Sequence, residues 1–273
     1  MPFPRIAASS YSNTAPLVWS FLYGKNHGKV ELILDNAPAR SADLLAGGRV
    51  DAALIPVIVF QEIDDARLIP NVCVGAKTRV RSVCLVTAGM DLADARTVSL
   101  DTSSRSSVAL TKIIFREFIG VEPEWIDAPP DIDEMLATSD AALIIGDPAL
   151  ALASPREGEA DGRVGSRTYQ VFDLAELWHR FTGLGFVFAM WMTLHERLDI
   201  DFASARDEGL EHLDEIIANY GPDIGLNKYE MRSYLAENIS YSIDEKMVQG
   251  MELYFELAAK NGLIPTVKPL RFI

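Results

Sequence analysis

A cluster of hydroxyls sits where a strand gives way to a helix, and this break constrains the chain more than any other segment. Arg96-Thr97-Val98-Ser99-Leu100 reads as a short strand, whereas Val108, Leu110, Ile113, Ile114 and Phe118 recur at helical spacing. Between them, Thr102, Ser103, Ser104, Ser106 and Ser107 place five hydroxyls in six positions. A strand that turns directly into a capped helix belongs to a layered α/β architecture. The first turn of that helix offers unpaired N–H groups and a positive dipole end, which together favour an anion. Neither Gly-x-Gly-x-x-Gly nor Gly-x-x-x-x-Gly-Lys-Ser/Thr occurs here, so the expected anion is a carboxylate rather than a nucleotide phosphate. An ordinary serine N-cap would produce the same string.

The same strand-then-helix order recurs along the chain. Residues 5–9 read as a strand, followed by the turn Tyr11-Ser12-Asn13-Thr14-Ala15-Pro16 and a helix over 17–23, with Asn13 or Thr14 as cap. A strand over 30–34, a helix over 39–46 ended by Gly47-Gly48, and a strand over 51–55 stopped by Pro56 come next. The pattern restarts at Thr97. A strand over 141–145 then ends in Gly146-Asp147-Pro148, a second capped break. Residues 154–168 are polar and aperiodic, as expected of a solvated loop or a lid. Phe186-Val187-Phe188-Ala189-Met190-Trp191-Met192 is apolar at every position, the signature of a strand buried on both faces. Only helices follow, expected over 202–220, 227–237 and 244–261.

A chain of 273 residues exceeds the usual single compact domain, and two lobes are expected. The restart at Thr97 and the late buried strand imply two crossings between them. Lobe one would hold residues 1–88 and 188–273, and lobe two residues 89–187. This arrangement resembles the two-lobed fold of type II periplasmic-binding proteins, whose ligand lies in the cleft where strand ends and helix starts converge.

Three breaks would face such a cleft: Ser12-Asn13-Thr14, Ser103-Ser104-Ser106-Ser107, and Gly146-Asp147. Ser82, at the start of an apolar strand, is a fourth contributor. An amide such as Asn13 both donates and accepts, as a substrate hydroxyl requires. Asp147 would repel a carboxylate but could accept from a hydroxyl or cap its own helix. Arg40, Arg79, Arg81 and Arg105 are possible anion partners, or ordinary surface ion pairs. Residues 173–183 crowd acids, Trp178 and His179 near the second crossing, as expected of hinge and core packing.

Composition narrows the function further. A net charge of −14 with no Lys/Arg cluster argues against nucleic acid as a partner. No apolar run approaches the ~20 residues that span a bilayer. The first residues lack a basic region and a long apolar core, so no secretory signal and a cytoplasmic location are expected. Two cysteines and four scattered histidines form no ligand spacing, and no metal or other cofactor is expected. No Ser-His-Asp or Cys-His order is discernible.

These residues also carry a family resemblance. Ser12-Asn13-Thr14-Ala15-Pro16-Leu17, residues 51–56, Arg81-Ser82-Val83, residues 102–110, residues 142–147, Asp173-Leu174-Ala175-Glu176-Leu177-Trp178 and residues 182–189 are similar to stretches of the MqnA family. These are the chorismate dehydratases of the futalosine route to menaquinone. The resemblance runs over residues 5–192, with Gly185 in place of a usual proline, a departure expected to loosen the crossing. It implies a carbon–oxygen lyase that removes water from its small-molecule substrate, chorismate, giving 3-[(1-carboxyvinyl)oxy]benzoate. Asn13 and Ser82 would act on the hydroxyl or the side-chain carboxylate. Ser12, Pro56, Ser103, Ser104, Ser106, Ser107, Gly146 and Asp147 would bind substrate. The base would be a protein side chain or the substrate's own enolpyruvyl carboxylate. The sister family, which makes 1,4-dihydroxy-6-naphthoate, carries a His-Glu pair where this chain has Gly146-Asp147. A solute-binding protein for a small dicarboxylate is the alternative from another class.

Overall fold

The computed structural model describes residues 3–36, 38–152, 163–164 and 167–273. Twelve strands are present among them: β1 (Arg5–Ser9), β2 (Glu31–Asp35), β3 (Ala52–Pro56), β4 (Arg67–Ala76), β5 (Val83–Thr87), β6 (Thr97–Asp101), β7 (Glu124–Ala128), β8 (Ala141–Ile145), the small hairpin β9 (Arg163–Val164) and β10 (Arg167–Thr168), β11 (Gln170–Asp173) and β12 (Phe186–Thr193). The ten α-helices are α1 (Ala15–Leu22), α2 (Pro38–Ala46), α3 (Arg105–Ile113), α4 (Ile132–Thr138), α5 (Gly146–Leu152), α6 (Leu174–Thr182), α7 (Phe202–Glu211), α8 (Leu213–Ile224), α9 (Lys228–Ser233) and α10 (Glu245–Lys260). Most of the polar loop over 154–168 lies outside the described residues, and with it the expected lid.

Two five-stranded sheets form, ordered β2-β1-β3-β12-β4 and β11-β5-β8-β6-β7. In the first, β1 runs parallel to β2 and β3, and β12 runs antiparallel to β3 and β4. The second repeats this plan: β6 is parallel to β7 and β8, while β5 runs against β8 and β11. Each sheet therefore takes its antiparallel strand from the segment that has just crossed over. Strand order reverses at β1 and at β6, and the crevices beyond their carboxyl ends are where such sheets bind ligands.

The crossings lie earlier than the sequence pattern places them. Val83–Thr87, expected in lobe one, pairs wholly within the second sheet, and Phe186 and Val187, expected in lobe two, already belong to the first. Both strands are apolar throughout, so periodicity cannot say which core they enter; their hydrogen-bonded neighbours decide it. The first crossing spans residues 77–82. There the buried Asp173 carboxylate accepts from the amides of Val80 at 3.0 Å, Arg81 at 2.5 Å and Glu176 at 3.0 Å. One side chain thus caps α6 and fixes the crossing, where Arg81 adopts φ +66°.

The second crossing, Gly183-Leu184-Gly185, is gripped rather than loosened. A Cβ on Gly250 of α10 would stand 2.1 Å from the Gly185 carbonyl oxygen, and one on Gly185 would meet Met247 at 2.7 Å. The Trp178 indole donates to that same carbonyl at 3.2 Å, and Trp178 is fully buried, as hinge packing requires. β12 is buried along almost its whole length, as its composition predicts. Each large apolar side chain so buried contributes about 1.5–3 kcal/mol. The long helix expected over 202–220 instead breaks at His212, whose ring stacks on Trp19 at 3.7 Å. No helix among the described residues is long and apolar enough to cross a membrane.

Candidate active site at the cleft

The turns after β1, β3, β6 and β8 meet the start of β5 around one small cavity between the sheets. Its walls include Tyr11, Asn13, Pro56, Ser82, Ser104, Ser107 and Gly146, with Phe188, Leu54, Val74 and Ile145 as apolar floor. Of the ten residues expected at the site, six therefore line it. Its volume is about 60 Å³, well below the several hundred Å³ typical of ligand pockets. The lobes thus stand closed, and a ligand enters only when they part.

Ser104 is the N-cap of α3: its hydroxyl accepts from the Ser107 amide at 3.4 Å and donates to the Ser107 hydroxyl at 2.9 Å. The capping interpretation and the cavity-lining one hold for the same residue. Asn13 is no helix cap; Thr14 occupies that position without a side-chain cap bond, its hydroxyl paired with Ser9 at 2.8 Å. Asn13 is thereby left to face the cavity. The Ser82 hydroxyl is fully buried and has no hydrogen-bond partner.

Four expected residues stand elsewhere. Ser12 and Asp147 bind each other across the cleft: the Ser12 hydroxyl donates to Asp147 Oδ1 at 2.5 Å, and its amide reaches both carboxylate oxygens at 3.2 and 3.1 Å. Asp147 is therefore no cap for α5, because its carboxylate points to the opposite lobe. Burial raises its pKa, and the Ser12 hydrogen bonds oppose that shift. The Ser106 hydroxyl accepts from the Ile58 amide at 3.2 Å, and the Tyr254 phenol donates to the Ser106 carbonyl at 3.0 Å. Both partners lie in the first lobe, so Ser106 holds the lobes together rather than facing the cavity. Ser103 lies behind the wall, its hydroxyl buried without a partner.

None of the four arginines lines the cavity. Arg40 pairs with Asp35 at 3.0 Å, and Arg105 with Asp43 and Glu62 at 2.9 Å, all near the surface. Arg79 lies 3.8 Å from Asp173 at the hinge, and half-buried Arg81 reaches the Glu230 carbonyl at 3.5 Å. Two larger grooves lie on other faces, about 400 Å³ between α1 and α8 and about 520 Å³ beside the first crossing. Neither contains a strand-to-helix turn.

Sequence reasoning missed three residues here. Tyr11 lies flat against Gly146, where a Cβ would stand 2.7 Å from its ring. Gly146 has φ +68°, so the position demands glycine twice over. Asp101, at the end of β6, is fully buried; one oxygen accepts from the Ser103 amide at 2.9 Å and the other has no partner. Tyr234 opens a π-helical turn after α9; its hydroxyl is buried without a hydrogen-bond partner, near Ser82 and Asn13. Burial pushes its pKa up, while those two neighbours act against the shift. Insertions of this kind recur at functional sites. Tyr11 and Asp101 each adjoin a motif, directly before Ser12 and Thr102; Tyr234 carries no pattern in the sequence. Among the described residues no group of three or more His, Cys, Asp or Glu is placed to hold a metal ion.

Two mirrored sheets, a cleft at both strand-order reversals and a cavity between closed lobes define a protein of the type II periplasmic-binding-protein fold. Solved structures agree. The chain is similar to protein AF1704 from Archaeoglobus fulgidus at a TM-score of 0.73, with 16% identity and coverage of 96% of this chain and 98% of that one. It is similar also to the periplasmic aliphatic sulphonate binding protein SsuA from Escherichia coli, at a TM-score of 0.63, 16% identity and coverage of 100% and 94%.

Within that fold the chain belongs to the menaquinone biosynthesis family, whose model matches residues 4–260. A chorismate dehydratase of Thermus thermophilus is 30% identical over 261 residues, 90% of this chain and 92% of that protein. The match extends into the helical tail, beyond the stretches where the motifs lie.

Proposed function

We propose that this chain is a chorismate dehydratase: it eliminates water from chorismate to give 3-[(1-carboxyvinyl)oxy]benzoate, without a cofactor, through the residues around the closed cavity. The observation that carries this reading is the composition of the walls. Asn13, Ser82, Ser104 and Ser107 supply neutral donors, and among the described residues no Asp, Glu, His, Lys or Arg lines the space.

Chorismate offers two carboxylates, a ring hydroxyl and an acidic ring proton. That proton is vinylogous to the ring carboxylate, so charge flows into the carboxylate as the proton leaves. Amides at the start of α3, with the Ser104 and Ser107 hydroxyls, would stabilise that charge more in the transition state than in the ground state. Asn13 and Ser82 would orient the hydroxyl and the enolpyruvyl carboxylate. With no basic side chain on the walls, the enolpyruvyl carboxylate is the group left to take the proton. Loss of hydroxide then makes the ring aromatic, which drives the reaction. Closure of the lobes excludes water and strengthens each polar contact.

The test is incubation of the purified protein with chorismate alone, with products separated by chromatography and weighed. A species lighter by one water with a benzoate spectrum supports the reading. Unchanged chorismate with folded protein overturns it.

A further inference from the structure

Tyr234 is wholly buried, and its hydroxyl has no hydrogen-bond partner among the described residues. Burying a hydroxyl unpaired is unfavourable, and phenylalanine would fill the same space without that penalty. The hydroxyl lies near two residues of the cavity wall, Ser82 and Asn13. Ser82 is also wholly buried and also unpartnered. Were Tyr234 there to hold Ser82, the two hydroxyls would bond in the closed form. They do not, so both are left for a third group. Asn13 Oδ1 accepts from the Thr14 hydroxyl at 3.4 Å, and its NH2 group adds further donors at the same wall.

The backbone delivers Tyr234 to this place by a local change of winding. Asn227 and Glu230 open α9 with a reciprocal capping box. The helix then widens, and the Ile239 amide donates to the Tyr234 carbonyl, five residues back, at 3.1 Å. Two charged groups act on the phenol. One is the half-buried Arg81 guanidinium, which reaches the Glu230 carbonyl of α9 at 3.5 Å. The other is the Asp147 carboxylate, already engaged by Ser12. Three neutral donors beside a guanidinium suit a carboxylate.

The closed cavity, about 60 Å³, is smaller than chorismate, so the substrate-bound wall reaches further back than the closed one. We propose that Tyr234 is a further substrate-binding residue, whose hydroxyl completes with Asn13 and Ser82 a three-donor subsite for the carboxylate on the substrate's side chain. The identity of that carboxylate rests on the dehydratase reading above. The start of α3, in the other lobe, is left for the ring carboxylate. A dicarboxylate thus bridges the lobes and favours their closure. The side-chain carboxylate is also the group that takes the ring proton, so three donors fix where it meets that proton.

The experiment uses the full chain and two stable probes. One is 3-(carboxymethoxy)benzoate, which carries a ring and a side-chain carboxylate; the other is benzoate, which carries only the first. Calorimetric titration gives the affinity for each whether or not chorismate is turned over. Tyr234→Phe is expected to bind the diacid about tenfold or more weakly, yet to bind benzoate as wild type does. Its melting temperature should equal or exceed that of wild type, because no hydrogen bond is lost. Ser107→Ala is expected to weaken both probes. Wild type that binds the diacid but leaves chorismate unchanged overturns the dehydratase reading and upholds the subsite. Equal diacid affinities in wild type and Tyr234→Phe, an equal loss for both probes, or no diacid binding by wild type overturns the subsite.

Discussion

Ser12 and Asp147 join the two lobes by three hydrogen bonds onto a single carboxylate, from one hydroxyl and one amide whose residues are 135 positions apart. They were expected to hold a ligand and instead hold each other, directly beside the cavity. Asp147→Ala is therefore expected to shift the molecule toward an open form. A hydrogen bond to a charged group contributes about 1.5–3 kcal/mol, roughly ten- to a hundredfold in such an equilibrium. Small-angle X-ray scattering should show a larger radius of gyration, with a higher KM for chorismate.

The same carboxyl makes closure depend on pH. Burial raises its pKa in the closed form, whereas in the open form it is an ordinary carboxyl. The closed state binds the proton more tightly, so its stabilisation from this group is complete below the ordinary carboxylate range and is lost as pH rises through the raised value. Scattering across that range should show opening with rising pH in wild type and none in Asp147→Asn.

Ser82 and Asn13 separate function from stability. The Ser82 hydroxyl is buried without a partner, so Ser82→Ala removes an unsatisfied group and should leave unfolding free energy unchanged or raise it by about 1 kcal/mol. Turnover should fall sharply. Asn13→Ala should likewise lower turnover far more than stability, as denaturant melts beside steady-state kinetics would show. Unchanged turnover would remove either residue from the mechanism.

The three serines at the start of α3 should behave differently from one another. Ser104→Ala removes the N-cap and should cost about 1 kcal/mol of stability. Ser107→Ala should chiefly weaken substrate binding. Ser106→Ala, which strips the Ile58 amide of its acceptor, should loosen closure in scattering without contributing to charge stabilisation. A chorismate titration of each variant distinguishes them.

Gly146→Ala should cost about 1–2 kcal/mol for its left-handed backbone and also displace the Tyr11 ring. Thermal unfolding gives the first effect. The tyrosine near-ultraviolet circular dichroism gives the second.

The sequence shows the breaks clearly because each combines a strand period, a cluster of capping residues and a helix period. Six of the ten residues named from those breaks do surround the cavity. Ser12, Ser106 and Asp147 were misplaced because hydroxyls and carboxylates at a cleft suit a ligand and an opposing lobe equally well. Lobe membership of Val83–Thr87 escaped detection because an all-apolar strand carries no record of its neighbours. Tyr234 is isolated in the sequence, and only the folded backbone brings it near Ser82 and Asn13.

The contact of Gly250 with the Gly185 carbonyl sets how such a molecule can swing. Lys77 and Ala76 of the outgoing segment lie against Gly185 as well, with a Cβ there 3.5 Å from Lys77 Cα and 3.1 Å from the Ala76 oxygen. The two connecting segments thus run side by side, main chain on main chain, like a single spindle. Torsion is confined to a narrow axis, and the cleft gapes only along its far rim. The Ser12–Asp147 clasp lies close to that axis, because the Gly146 amide beside it donates at 2.7 Å to the carbonyl of Ser82, the last residue of the first crossing.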